Sequence, residues 1–172
     1  MARNIEIKAR VDDLAALAIR TAAIATEGPI QIDQDDTFFA CEVGRLKLRA
    51  LAPDHGELIF YRRANEHGPK ESFYVRTATA DPSGLCDCLS LAHGVSGRVI
   101  KRRTLYLIGR TRVHLDCIEG LGDFMELEVV LDGTESTEAG TQEARALMAQ
   151  LGIDADQLVD TAYVDLLAQV GA

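Results

Sequence analysis

Charged residues fill alternate positions in several runs whose other positions are largely aliphatic. These runs are Ile5-Glu6-Ile7-Lys8, Leu46-Lys47-Leu48-Arg49, Lys101-Arg102-Arg103, Arg110-Thr111-Arg112-Val113-His114-Leu115-Asp116 and Glu126-Leu127-Glu128-Val129. Along a β-strand successive side chains point to opposite faces. Each run therefore reads as a strand with one aliphatic face and one strongly charged face. A slip of one residue would exchange the two faces, so pairing register is tightly constrained. The charged faces are also selective in sign. Some carry only Lys and Arg, one carries only Glu, and Asp and His each occur once. On a half-buried sheet such faces point to water. Brought together, they would form a site for a polyanion and a metal ion.

At 172 residues the chain is the size of a single domain, 1–172, with a substantial core. Its 47% hydrophobic and 26% charged composition is that of a soluble globular protein. No apolar stretch approaches the ~20 residues of a membrane span. The N-terminal sequence has no apolar secretory segment, so no membrane partner and a cytoplasmic location are expected. A net charge of −9 argues against a nucleic-acid duplex as partner. The cations concentrate in the strand-like runs and the acids in the helix-like segments and C-terminal third. This predicts a locally positive site on an acidic protein. Cys41, Cys86, Cys88 and Cys117 include no C-x-x-C pair, and free thiols are expected.

Hydrophobic periodicity and turn residues predict the elements in order. A strand over 3–11 leads to a helix capped by Asp12 or Asp13, running to about Glu27 and ended by Gly28-Pro29. Residues 30–39 read as extended. Strands 45–51 and 57–63 form a hairpin around Pro53-Asp54-His55-Gly56. A polar loop over 64–69 precedes a strand over 70–78. Asp81-Pro82 opens a second helix, to about His93. Strands 98–108 and 110–118 meet at Gly109, and strand 124–131 follows the Gly120-Leu121-Gly122 turn. Helices over 138–151 and 155–169 close the chain. The expected class is α+β. Eight antiparallel strands can close into a barrel around a ligand, with about four helices over the aliphatic outer faces. An open sheet with helices on one side is the alternative.

Glu6 shares a face with Lys8, and Glu126 with Glu128. Two carboxylates at i and i+2 lie roughly 7 Å apart on a strand. With Glu6 across the barrel they could hold Mg2+ or Mn2+ through oxygen donors. Lys47/Arg49, Lys101/Arg103 and Arg110/Arg112 are same-face cation pairs, to which Arg63 and Lys70 could add. Crowding them together is unfavourable without an anion, and a triphosphate, with about four charges, suits guanidinium and ammonium donors. Any one pair could equally be a solvated ladder of ion pairs.

In this order the motifs resemble the CYTH superfamily of triphosphate tunnel metalloenzymes, within it the class IV adenylate cyclase-like branch. They are Asn4-Ile5-Glu6-Ile7-Lys8, Gly44-Arg45-Leu46-Lys47-Leu48-Arg49, Tyr61-x-Arg63, Gly68-Pro69-Lys70-x-Ser72-x-Tyr74, Lys101-x-Arg103, Arg112-x-His114-x-Asp116, Gly120-Leu121-Gly122-x-Phe124-x-Glu126-x-Glu128 and Tyr163-x-x-Leu166-Leu167. The resemblance implies a closed eight-stranded antiparallel tunnel that uses Mg2+ or Mn2+. Its substrate would be ATP or another small triphosphate. It further implies Glu6, Glu126 and Glu128 as metal ligands. Lys8, Lys47, Arg49, Arg63, Lys70, Lys101, Arg103 and, on less motif support, Arg112 would bind phosphates. Asp116 would be a metal-linked or substrate-orienting carboxylate, grouped with Lys8, Glu126 and Glu128 as catalytic. The family's first Glu of the E-x-E-x-K strand is here Asn4, an uncharged oxygen donor, which bears on the number of metals held. Cyclisation of ATP to cAMP and diphosphate is the leading expectation. Hydrolysis of tripolyphosphate, thiamine triphosphate or a nucleoside triphosphate is the alternative, and a non-enzymatic ATP or polyphosphate sensor is another. A homodimer is left open.

On the residues themselves, His114 lies on the charged face, where a positioning hydrogen bond is expected, the alternatives being contact with a phosphate or proton transfer. His55 and His67 fall in loops and His93 near a helix end. Tyr163, Phe38, Phe39 and Phe124 read as packing residues, and the 120–122 glycines as a turn.

Overall fold

The computed structural model describes residues 2–63 and 68–171. Eight strands form the frame: β1 Ala2–Arg10, β2 Glu27–Phe39, β3 Arg45–Ala52, β4 His55–Arg63, β5 Lys70–Thr79, β6 Val95–Ile108, β7 Thr111–Ile118 and β8 Gly122–Leu131. They close into a barrel in the order β1-β5-β4-β3-β2-β6-β7-β8. Every neighbouring pair is antiparallel. The closed form prevails over the open sheet, and among the described residues each strand pairs with a neighbour on both sides. Part of the predicted 64–69 loop, including His67, lies outside the described residues.

Register follows the sequence alternation. Lys8 is opposite Glu126 and Glu6 opposite Glu128, so the aliphatic partners Ile5/Val129 and Ile7/Leu127 face outward together. All four of these aliphatic residues are buried. They pack beneath helix α3, Thr137–Gln150, which lies over β1 and β8. Helix α1, Leu14–Ile24, starts where the Asp13 carboxylate accepts the Ala16 N–H at 2.9 Å. Helix α2, Pro82–His93, starts with the equivalent Asp81 cap on the Gly84 N–H.

Three expectations need correction. Helix α1 ends at Ile24, and Gly28-Pro29 lies inside β2, at a register shift between Glu27 and Ile30. Pro29 has no N–H for the ladder, so the irregularity falls where it sits. Gly28 has φ 111°, and a Cβ there would come within 2.7 Å of the Leu105 carbonyl oxygen, so only glycine fits. The predicted 155–169 helix is instead a single 3-10 turn, Ala155–Gln157, then extended chain, then α4, Tyr163–Val170. Tertiary pairing overrides helix propensity here. Leu158 bridges to Ala9, and the Val159 N–H donates to the Lys8 carbonyl at 2.9 Å. Finally, Arg110 does not join Arg112 inside. It lies in the β6–β7 turn and pairs on the outside with Glu135 and Glu143.

Helix α3 approaches the barrel closely because of Gly140. A Cβ there would meet Leu131 Cδ2 at 2.6 Å and Ile5 Cγ1 at 2.8 Å. Alanine would favour the helix by about 1 kcal/mol, but overpacking a filled core costs about 1–3 kcal/mol. Gly140→Ala is therefore expected to lower the melting temperature; an unchanged or raised value would show that the contact can yield.

Candidate active site

The inward side chains enclose a cavity of about 310 Å3. Glu6, Lys8, Lys47, Arg49, Arg63, Lys101, Arg103, Arg112, Glu126 and Glu128 all line it. Of the predicted site residues, Lys70 and Asp116 do not. Lys70 is buried on β5 and donates to the Asp160 carbonyl at 3.2 Å. Asp116 is fully buried behind two cations. It accepts from Arg103 through both oxygens, each at 2.6 Å, and from Lys101 at 3.2 Å.

The cation rows thus carry their own counter-charges. Asp36 on β2 holds Lys47 at 2.6 Å and Arg49 at 2.8 Å, as Asp116 holds Lys101 and Arg103. Sequence reasoning missed Asp36. The signal was the alternation Ile32-x-Gln34-x-Asp36-x-Phe38, which puts it on the inner face opposite Arg49. Each fork fixes two cations from behind, and their other donors remain for a ligand. Arg103 and Lys101 hold the Asp116 carboxyl down to about 2 even though burial opposes its ionisation. Lys47 and Arg49 likewise hold Asp36 far below the usual carboxylate range against burial.

The glutamates form a second group. Glu6 is a cross-strand neighbour of Glu128, not a residue across the barrel. It pairs with Arg63. Glu128 pairs with Arg112 at 2.8 Å, and Glu126 with Arg103 at 2.7 Å and Lys8 at 3.5 Å. Burial opposes ionisation of Glu126, but Lys8, Lys101 and Arg103 together hold its carboxyl well below the usual range. Burial pushes Glu128 up, against Arg112 and Arg103. Glu126, Glu128 and His114 bring one donor atom each to within 4.8 Å of one another. Glu6 is not in that cluster. Asn4, 2% exposed, lines the cavity, and its Oδ1 has no hydrogen-bond partner among the described residues. Two carboxylates with an orphaned amide oxygen in the same cavity suit a hard divalent cation such as Mg2+ or Mn2+.

An apolar cluster borders the cavity through Phe38, Val99, Ala162 and Tyr163. Phe38, Val99, Ile118 and Phe124 pack against Ala162, Tyr163 and Val164 at the start of α4. Tyr163 packs edge-on against Phe124, as expected for a core residue. It also lies in the site. Lys8 Nζ sits 4.0 Å from its ring centroid, and its hydroxyl donates to Asp116 at 3.4 Å. Lys8 is further fixed by the Thr161 carbonyl at 3.1 Å.

Burial lowers Lys8 and Lys47 from 10.5 to about 8, with Glu126 opposing at Lys8 and Asp36 at Lys47. Between about 8 and 10.5 the unfolded chain thus binds more protons than the ligand-free fold. Stability from these two lysines rises with pH across that window. Polyanion binding has the opposite sign, because it requires charged ammonium groups. Titrating tripolyphosphate above pH 8 in buffers of different ionisation enthalpy is expected to reveal proton uptake, with affinity falling as pH rises. Binding without proton uptake would mean that these lysines are already charged.

A closed antiparallel tunnel lined by paired cations and a glutamate cluster defines the class of protein. A family model of the CYTH domain matches residues 2–163, and the chain belongs to that family. It is 26% identical over 175 residues to adenylate cyclase CyaB of Aeromonas hydrophila, covering 96% of this chain and 89% of that protein. Its fold is similar to PH1012 of Pyrococcus horikoshii OT3, with TM-score 0.85, 22% identity and coverage of 95% and 99% of the two chains. It is also similar to HpAC1 of Hippeastrum, whose structure is described with a dominant triphosphatase activity. There the TM-score is 0.65 at 17% identity, over 96% of this chain and 95% of that one.

Proposed function

We propose that this protein is a metal-dependent, cytoplasmic triphosphate-processing enzyme. We assign it cyclisation of ATP to cAMP and diphosphate. The observation that carries this reading is the convergence of Lys8, Lys47, Arg49, Arg63, Lys101, Arg103 and Arg112 on one closed cavity that also holds Glu126 and Glu128. The likeness to the Aeromonas cyclase supports the choice of reaction. So does an apolar wall of Ile32, Leu51, Ile59 and Leu105 in the same cavity, suited to an organic group that tripolyphosphate lacks.

In cyclisation the ribose 3′-hydroxyl loses its proton to solvent as its oxygen bonds to the α-phosphorus, the bond from that phosphorus to the bridging oxygen breaks, and diphosphate leaves with that bond's electron pair. The two cation pairs, fixed by Asp36 and Asp116, grip the phosphate chain and stabilise charge developing on the departing oxygens. Lys8 orients a phosphate oxygen beside Glu126. Glu126 and Glu128, with Glu6 and Asn4 as further oxygen donors, would hold the divalent ion. When bound, that ion neutralises phosphate charge and polarises the reacting phosphorus. Asp116 acts through Lys101 and Arg103, whose geometry it sets.

Hydrolysis is the second reading. HpAC1 shares the fold and is described with that activity, and the cation inventory serves either reaction. Incubation with Mg2+ or Mn2+ and ATP, tripolyphosphate or thiamine triphosphate, with products resolved, separates the two. Cyclic AMP and diphosphate from ATP confirm the cyclase. Orthophosphate from ATP or tripolyphosphate shows hydrolysis, and binding without turnover shows a sensor.

A further inference from the structure

We infer that His114 is a ligand of the divalent ion, giving the tunnel a nitrogen donor that favours first-row transition ions such as Mn2+ over Mg2+. The inference rests on reading the tunnel as a metal-dependent triphosphate site, and it names a donor that the glutamate motifs leave out.

His114 is inward on β7, directly opposite Glu126 in the β7–β8 ladder and diagonal to Glu128. The residue is 5% exposed, and its Nδ1 has no hydrogen-bond partner among the described residues. A buried ring nitrogen left without a partner is unfavourable, so its persistence calls for something that fills the gap. That nitrogen faces two carboxylates, 3.8 Å from Glu128 Oε1 and 4.0 Å from Glu126 Oε2. Both separations are too long for hydrogen bonds. They do suit donors that share one ion. Two donors each about 2.1–2.2 Å from a metal lie roughly 3.0 Å apart at a right angle and about 4.4 Å apart when opposed. Glu128 commits Oε2 to Arg112 and leaves Oε1 turned toward the imidazole.

The donor chemistry then sets selectivity. Mg2+ takes oxygen donors and retains its waters, whereas imidazole is a ligand of transition ions. Asn4 adds an uncharged oxygen to the same cavity, where a carboxylate would add the charge that favours a hard ion. An uncharged amide oxygen and an imidazole nitrogen both move preference away from Mg2+.

The test is Mn2+ binding to the purified protein, followed by electron paramagnetic resonance with competition by Mg2+. Bound Mn2+ is expected to show nitrogen coupling that changes when the wild-type protein is labelled with 15N-histidine. His114→Gln is expected to abolish that coupling and lower Mn2+ affinity about tenfold while leaving Mg2+ affinity within about twofold. Mn2+ bound without nitrogen coupling, or coupling that survives in folded His114→Gln, overturns the assignment of His114 and leaves the metal site standing. If His114→Gln does not fold, the isotope experiment on the wild-type protein still decides, because unaltered coupling excludes histidine. Absence of Mn2+ binding at millimolar concentration, with and without tripolyphosphate, overturns this inference together with the metal-dependent reading.

Discussion

Asp116→Asn is expected to destabilise the protein by about 3–5 kcal/mol, because it leaves a buried ion cluster without its anion. Lys101 and Arg103 are each about 5% exposed, and Asp116 is their shared counter-charge. Arg103 retains Glu126, but Lys101 has no other carboxylate within 4 Å among the described residues. The loss should be largely repaired by tripolyphosphate, which supplies negative charge to the same cations. Urea denaturation with and without tripolyphosphate measures both effects. A variant as stable as the wild-type protein, or one that the anion does not rescue, would refute the proposal that Asp116 stands in for ligand charge behind these cations.

The double substitution Glu126→Gln, Glu128→Gln is expected to behave in the opposite way. The cations it strips keep other partners. Arg103 holds Asp116, Lys8 holds the Thr161 carbonyl, and Arg112 holds the Tyr74 hydroxyl at 3.2 Å. Folding should survive, whereas divalent-ion affinity and turnover should each fall by at least about a hundredfold. Calorimetric metal titration and an assay of triphosphate consumption read the two losses. Full metal-dependent turnover in a folded double variant would remove both carboxylates from the metal site.

Much of this site was legible in the strand alternation. The pairs Glu126/Glu128 and Lys47/Arg49 point inward because their aliphatic neighbours Leu127, Val129 and Leu48 are buried on the other face, and period-two patterning carries that information directly. Lys101/Arg103 point inward although their neighbours Ile100 and Arg102 stay exposed. Closure of the barrel was less legible. Alternation specifies which face is charged, but the choice between closed and open sheets depends on which strands meet at the ends. Here that is the pairing of β1 with both β5 and β8. Asp36 was hidden in a run that read only as extended. The 158–162 segment was mistaken for helix, because its residues suit one and only the β1 partner shows otherwise. Tyr163 read as a packing residue. It does pack, yet its position beneath Lys8 comes from the α4 contact, which no local pattern reveals. Arg110 fell on the inner face by alternation, but the turn at Gly109 releases it to the outer surface.

The central claim is that the tunnel cations bind a triphosphate. It is tested most directly by calorimetric titration of tripolyphosphate, with Mn2+ present, into the wild-type protein and into Lys101→Ala. Asp116 keeps its two-point contact with Arg103 in that variant, so the site remains folded. The wild-type protein should bind at one site per chain, and the variant at least about tenfold more weakly, since it lacks one cation of a largely desolvated polyanion site. No binding by the wild-type protein, or equal affinity in the two, would contradict the account.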